Sequence, residues 1–219
     1  MPTPAPPSPE SESPSPLAKL LAGIPDVPAS HILGNLPQAQ KQQAANLFYF
    51  FIAGHGEAPN ANPFAGEIGM RIRIVEMNVF DDVEAGAWQV MEVEVTPDMC
   101  NAFGTMHGAC GAFLLGHAGM GTIVLLGNAT GFDSASLAST AQNLQNLHWH
   151  TTANLGETLT IRARTVFVDR KNRGARLASC EIREIDSGRL ILTGTVGGVP
   201  SMSKAKHVGP GTNTPASKL

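Results

Sequence analysis

Paired cysteines, phosphate-cradling glycine loops and an excess of basic charge are all missing from this chain. Cys100, Cys110 and Cys180 are its only cysteines, with no paired spacing and no Cys-x-x-Cys. That pattern excludes a disulfide scaffold and a zinc knuckle, and it suits a reducing compartment. A Walker loop, a dinucleotide-type glycine pattern and a Gly-x-Ser-x-Gly elbow are also absent, which disfavours an α/β-hydrolase serine route. With 15 Lys and Arg against 18 Asp and Glu the net charge is −3, so no global field draws nucleic acid. The first 16 residues have neither the basic start nor the apolar stretch of a secretory signal. The longest early apolar cluster, Leu47 to Ala53, is too short to span a bilayer. These absences lead to the expectation of a soluble, cytoplasmic protein with no membrane span.

What is present is enough apolar residue, 42% of 219, for one core of ordinary size with tails to spare. Residues 1–16 are Pro/Ser-rich and read as a disordered tail. Residues 17–66 read as an N-terminal helical extension. Within it Leu17 to Leu21 is a candidate helical turn, and Pro37 to Ala53 a helix with Pro at its start and Gly54 beyond its end. Residues 55–66, rich in Pro, Asn and Gly, read as a loop. From Glu67 the pattern changes to period two: Met70, Ile72 and Ile74 alternate with Arg71, Arg73 and Val75, and alternation resumes over Trp88 to Val95. A long apolar helix is expected from about His107 to Leu126. Strands follow near 137–150, 158–168, 175–184 and 190–199, with hairpin turns at 170–174 and 186–188. The sum is an α+β chain, one long helix against an antiparallel sheet over residues 67–200, and a flexible tail over 201–219.

The most informative stretch is Asn101-Ala-Phe-Gly-Thr-Met-His-Gly-Ala-Cys-Gly111. A polar, glycine-bearing loop opens the long helix, so the first free N–H groups, near Gly108 and Ala109, carry the positive end of the helix dipole. Such a site suits a developing oxyanion, and glycine at 108 lets a ligand approach the backbone. The stretch resembles the hotdog-fold acyl-CoA thioesterases of the phenylacetate-pathway type and their eukaryotic relatives, whose motif runs roughly Asn-x-x-Gly-x-x-His-Gly-Gly. Asn101, Gly104, His107 and Gly108 match it, and Ala109 replaces the second glycine. The resemblance implies a hotdog fold, an acyl thioester substrate on coenzyme A or a carrier protein, and no cofactor. It further implies that Asn101 positions water, that the 108 and 109 amides hold the oxyanion, and that His107 braces the loop. The family's catalytic acid is replaced by Gly116, next to His117.

Several candidates have two readings each. His117 has the right ordinary pKa for a base near neutrality, yet one helical step turns a side chain by about 100° from position 116. A histidine packed within an interface is the competing reading. His148 and His150, two apart on a strand, share a face; they read as lining of a substrate channel or a subunit contact rather than a metal pair, since no third ligand is near. Arg170, Lys171 and Arg173 fall where related enzymes place bases for the coenzyme phosphates, or form a solvated turn. The glycines at 111, 116, 119 and 121 each cost roughly 1 kcal/mol in a helix interior, which close packing against a sheet would offset. Two functions stay open: thioester hydrolysis with an unorthodox base, or a non-hydrolytic hotdog protein (a lyase, isomerase or cyclase on a polyketide-like substrate, or an acyl-binding module). Because a single sheet of this type leaves an open edge, a homodimer or homotetramer is expected.

Overall fold

The computed structural model describes residues 23–55, 63–80, 86–130, 141–168 and 176–199. Among these residues, three α-helices and six strands run in the order α1 (Gln38–Ala53), α2 (Gly66–Arg71), β1 (Arg73–Phe80), β2 (Gly86–Glu94), α3 (Gly108–Ala129), β3 (Ala141–Trp149), β4 (Thr158–Val168), β5 (Arg176–Glu184) and β6 (Leu190–Val199). The strands form one antiparallel sheet in the order β1-β2-β4-β5-β6-β3. It curls around α3, which packs mainly on the central strands β4 and β5. The expected α+β arrangement is therefore the one observed. Although α3 is long and apolar enough to cross a membrane, it serves here as the core helix, largely buried by the sheet.

Strand alternation sets the two faces of the sheet. Ile161 and Ala163 of β4, Ala178, Cys180 and Ile182 of β5, and Leu192 and Val196 of β6 are buried toward α3. Arg162, Arg164, Ser179, Glu181, Thr193 and Thr195 point the other way. The helix can lie so close because its glycines leave room. A Cβ on Gly119 would fall 2.6 Å from Val196, and one on Gly111 2.6 Å from the Trp149 ring. Gly121 does the same toward α1, where a Cβ would lie 3.1 Å from Phe48. Helix propensity is thus given up for contact with the sheet.

α1 starts after Pro37 and ends at Gly54, whose φ of 67° is left-handed, as the Pro and Gly positions indicate. Its inner face shares one core with the sheet through Ala44, Ala45, Phe48 and Ile52. Polar side chains fasten the preceding segment to it. The buried Lys41 ammonium donates to the carbonyls of Ile32 and Gly34 at 2.9 Å each, and Asn46 accepts from the Val27 N–H at 3.1 Å. Leu33 in turn bonds both ways with β1, so this edge of the sheet is partly covered. At the opposite edge, β3 pairs only with β6 among the described residues.

One element differs from the sequence expectation. Residues 66–71, expected to begin a strand at Glu67, form α2. Ile68, Gly69 and Ile72 are the buried positions, a helical spacing, and Gly69 sits against the Ile52 carbonyl of α1. A six-residue stretch is too short for its apolar period to separate helix from strand. The tails at 1–16 and 201–219, the turn at Leu17–Leu21 and the hairpin at 170–174 lie outside the described residues. The turn at 186–188 is present, with Gly188 at φ 68°.

The close helix–sheet contact has a measurable consequence. Gly119→Ala should cost about 1–3 kcal/mol through overpacking, whereas Gly108→Ala, at a position where a Cβ meets nothing within 4 Å, should not lower stability. Urea unfolding of the two variants checks this, and equal midpoints would contradict it.

Candidate functional site at the start of the long helix

The loop before α3 is built by its own short-range bonds. The Asn101 N–H donates to the Thr105 carbonyl at 2.8 Å, and the Gly104 N–H to the Asn101 carbonyl at 3.0 Å. The Asn101 side-chain oxygen accepts from the Phe103 N–H at 2.9 Å and the Thr105 N–H at 3.4 Å, while its Nδ2 donates to Thr105 Oγ1 at 2.9 Å. An Asn suits this self-bonded turn. Gly104 has φ 73°, left-handed backbone that favours glycine. Two of the matching motif residues thus shape the loop directly.

The loop is held on both sides. The Met106 N–H donates to Ala153 O and the His107 N–H to Met99 O, both at 2.8 Å. Ahead of it, Arg71 pairs with Asp98 at 2.8 Å, and hydrogen bonds from Thr96 and Arg71 hold the Asp98 carboxyl below its usual range.

His107 caps α3. Its Nδ1 accepts the Ala109 N–H at 3.1 Å, so the neutral ring carries its hydrogen on Nε2. Its carbonyl receives the N–H groups of Cys110 and Gly111 at 2.9 and 3.2 Å. The amide expected from Ala109 is therefore already occupied by a side chain that sequence reasoning assigned to bracing alone. Gly108 differs. Its N–H has no partner among the described residues, the residue is exposed, and a Cβ there would meet nothing within 4 Å. No acidic side chain occupies the first turn, so nothing on the helix competes for its positive end.

Nearby groups narrow the chemistry. Cys110 lies in the first turn, where the dipole would favour a thiolate, but burial pushes its pKa to about 11. It is a neutral thiol at pH 7 and no nucleophile. His117 lies two and a half turns on, about 13 Å along the axis at a rise of about 1.5 Å per residue. Its ring packs on Phe113 at 4.6 Å between centroids, and Phe113 packs on the exposed Phe64 at 5.9 Å. Burial pushes the His117 pKa down to about 4, leaving the imidazole neutral at pH 7. Gly116 beside it is buried. Sequence reasoning missed this Phe64–Phe113–His117 row; the four-residue spacing of Phe113 and His117 was the available signal.

His148 and His150 stand elsewhere. A bulge at Asn146, φ 54°, shifts the register between Gln145 and His148. It sets His148 opposite Thr193 on the sheet face away from α3, and His150 Nε2 lies 3.0 Å from the Thr193 hydroxyl. Trp149 between them faces inward onto Gly111. The histidine pair is therefore not brought to the helix start within this chain. Arg170, Lys171 and Arg173 lie outside the described residues.

No protein-family model and no curated protein matches the chain. Solved structures do. Thioesterase superfamily member 2 from mouse superposes with a TM-score of 0.52 at 16% identity, over 72% of this chain and 95% of that one. Its zebrafish counterpart gives 0.50 at 17% identity, over 70% and 94%. The chain has the hotdog fold. At these identities the likeness reaches the architecture: a hotdog sheet wrapped around α3, with the loop 101–107 at the helix start.

The displaced His117 pKa gives a sign-definite expectation. Unfolded, the imidazole titrates near its ordinary 6.5; folded, near 4. Between those values the unfolded state binds the extra proton, so this group removes stability as pH falls from 6.5 toward 4. His117→Phe should lose less stability than the parent over that window in denaturant titrations. Parallel curves would contradict the assigned burial.

Proposed function

We propose that this hotdog protein hydrolyses an acyl thioester, carried on coenzyme A or a carrier protein, at the start of α3. The observation that carries the reading is Gly108. Its N–H is unpartnered among the described residues, exposed, and set at the positive end of a 22-residue helix with no acid in its first turn. There it would donate to the thioester oxygen, a bond that strengthens as water adds and the carbonyl becomes an oxyanion. Collapse of that intermediate breaks the C–S bond and releases the acid and the thiol.

The base is the unusual part. Neutral His117 can take a proton from water, but it is about 13 Å along the helix from Gly108 in the same chain. A second copy is therefore needed to bring one chain's His117 row to the other chain's helix start. The edge of β3, which pairs only with β6 among the described residues, is the natural place for that copy to add. Asn101, fixed by Thr105, would then orient the attacking water, and His107 would keep the loop rigid. Arg170, Lys171 and Arg173, with His148 and His150 on the outer rim, are the proposed contacts to the carrier's phosphates.

A non-hydrolytic role is favoured by one observation: α3 has no carboxylate from Gly108 to Ala129, and the motif resemblance implies that Gly116 stands where the related enzymes carry theirs. Binding of an acyl group, or lyase, isomerase or cyclase chemistry, would need the Gly108 site without that base.

Three outcomes are expected. Gly108→Val should lower thioester hydrolysis on the order of 10²-fold or more, the usual loss for an oxyanion donor, in a protein that still folds; an unchanged rate would remove Gly108 from the reaction. Gly116→Asp should raise hydrolysis, by up to about 10²–10⁴-fold if a base is what is missing. If the parent is already fast and His117→Ala abolishes that rate, His117 is the base and the acid is not needed. Light scattering at micromolar concentration should give a dimer or a tetramer, and a monomer would leave the two halves of the site apart.

A further inference from the structure

We propose that the outward face of the sheet, opposite α3, holds a second binding site, for a small carboxylate or phosphate anion, built on Arg162, Arg164 and the indole N–H of Trp88. This site is independent of the chemistry assigned to Gly108. A cavity of about 590 Å³ lies on this face, a size suited to a metabolite. Strand register explains how its walls assemble. Trp88, Arg164 and Ser179 stand side by side on β2, β4 and β5, and Arg162, Glu181 and Thr193 form the next row on β4, β5 and β6. Side chains in such rows point the same way about 5 Å apart, and the rows are about 7 Å apart.

Two observations point to an anion. The Trp88 Nε1 is buried and has no hydrogen-bond partner among the described residues. A buried donor left unpaired is costly, and it is expected to meet an acceptor. Arg164 has neither an ion-pair nor a hydrogen-bond partner among the described residues. Its neighbour Arg162 has only Glu181, at 3.7 Å, and Glu181 is also held by Arg183 at 3.1 Å. Two guanidinium groups thus share one carboxylate, and Arg164 beside them has none. A second copy stacked here about a twofold axis would set these cations against one another. A small anion is instead drawn in by them, with the Ser179 hydroxyl and the Trp88 N–H as donors.

Calorimetry on the full chain, with inorganic phosphate and benzoate as separate probes at constant ionic strength, tests this. Saturable binding of at least one probe is expected, and which one binds tells phosphate from carboxylate. Arg164→Gln should weaken it by about tenfold or more while thioester hydrolysis and melting temperature stay unchanged. The indole resonance of Trp88, assigned against Trp149→Phe, should shift on titration of the parent protein, so the readout does not depend on any Trp88 variant folding. The proposal is overturned if neither probe saturates, if Arg164→Gln binds as the parent does, or if the Trp88 signal stays still. It is also overturned if Arg164→Glu splits a tetramer into dimers, which would make this face a contact between copies.

Discussion

The depth at which α3 sits in the sheet governs the rest of the structure. Gly111 and Gly119 let the helix axis approach until Trp149 and Val196 fill the space a methyl group would need. At that depth the sheet buries one side of the helix, while its first two residues, Gly108 and Ala109, are exposed. The positive end of the helix therefore meets solvent at Gly108 and Ala109. A helix richer in alanine would have better intrinsic propensity but would ride higher on the sheet, and its start would move with it. The bonds from Met106 to Ala153 and from His107 to Met99 then fix the entry of the chain against that start.

Electrostatics at the two ends of the proposed reaction pull in different directions. The helix start offers a donor with no competing acid, a favourable place for developing negative charge. The interior of the helix offers no carboxylate, and its imidazole, His117, is desolvated against Phe113 until it is a weak base. A site strong in oxyanion stabilisation and weak in base catalysis favours substrates whose leaving group departs easily, as thiolates do. On the other side of the sheet Arg162 and Arg183 share Glu181, and Arg164 beside them has no ion-pair partner among the described residues.

Local signals made most of the architecture legible. Pro37 and Gly54 bound α1 because both act through their own φ, and β4 and β6 fall on the residues their apolar pattern indicated. The start of α3 was readable from the polar run ending at His107. What could not be read depended on contacts between distant residues or on the register of a pair. α2 is helical because Gly69 nests on Ile52, a contact across the loop. The side on which His148 and His150 emerge follows from the bulge at Asn146, since a one-residue slip exchanges the faces of a strand. The loop at the helix start was legible in its residues, but the capture of the Ala109 amide by the His107 ring needs a rotamer, not a motif. The paired rows on the outer face needed the order of the strands.

The central proposal is that the Gly108 N–H donates to the carbonyl oxygen of an acyl thioester. Amide NMR of the isotope-labelled protein, titrated with a ketone analogue in which a methylene replaces the thioester sulfur, addresses that contact directly. The account predicts a saturable downfield shift of the Gly108 amide, with Ala109 moving far less because its N–H is held by His107. A Gly108 resonance that stays in place while the analogue binds elsewhere would contradict it.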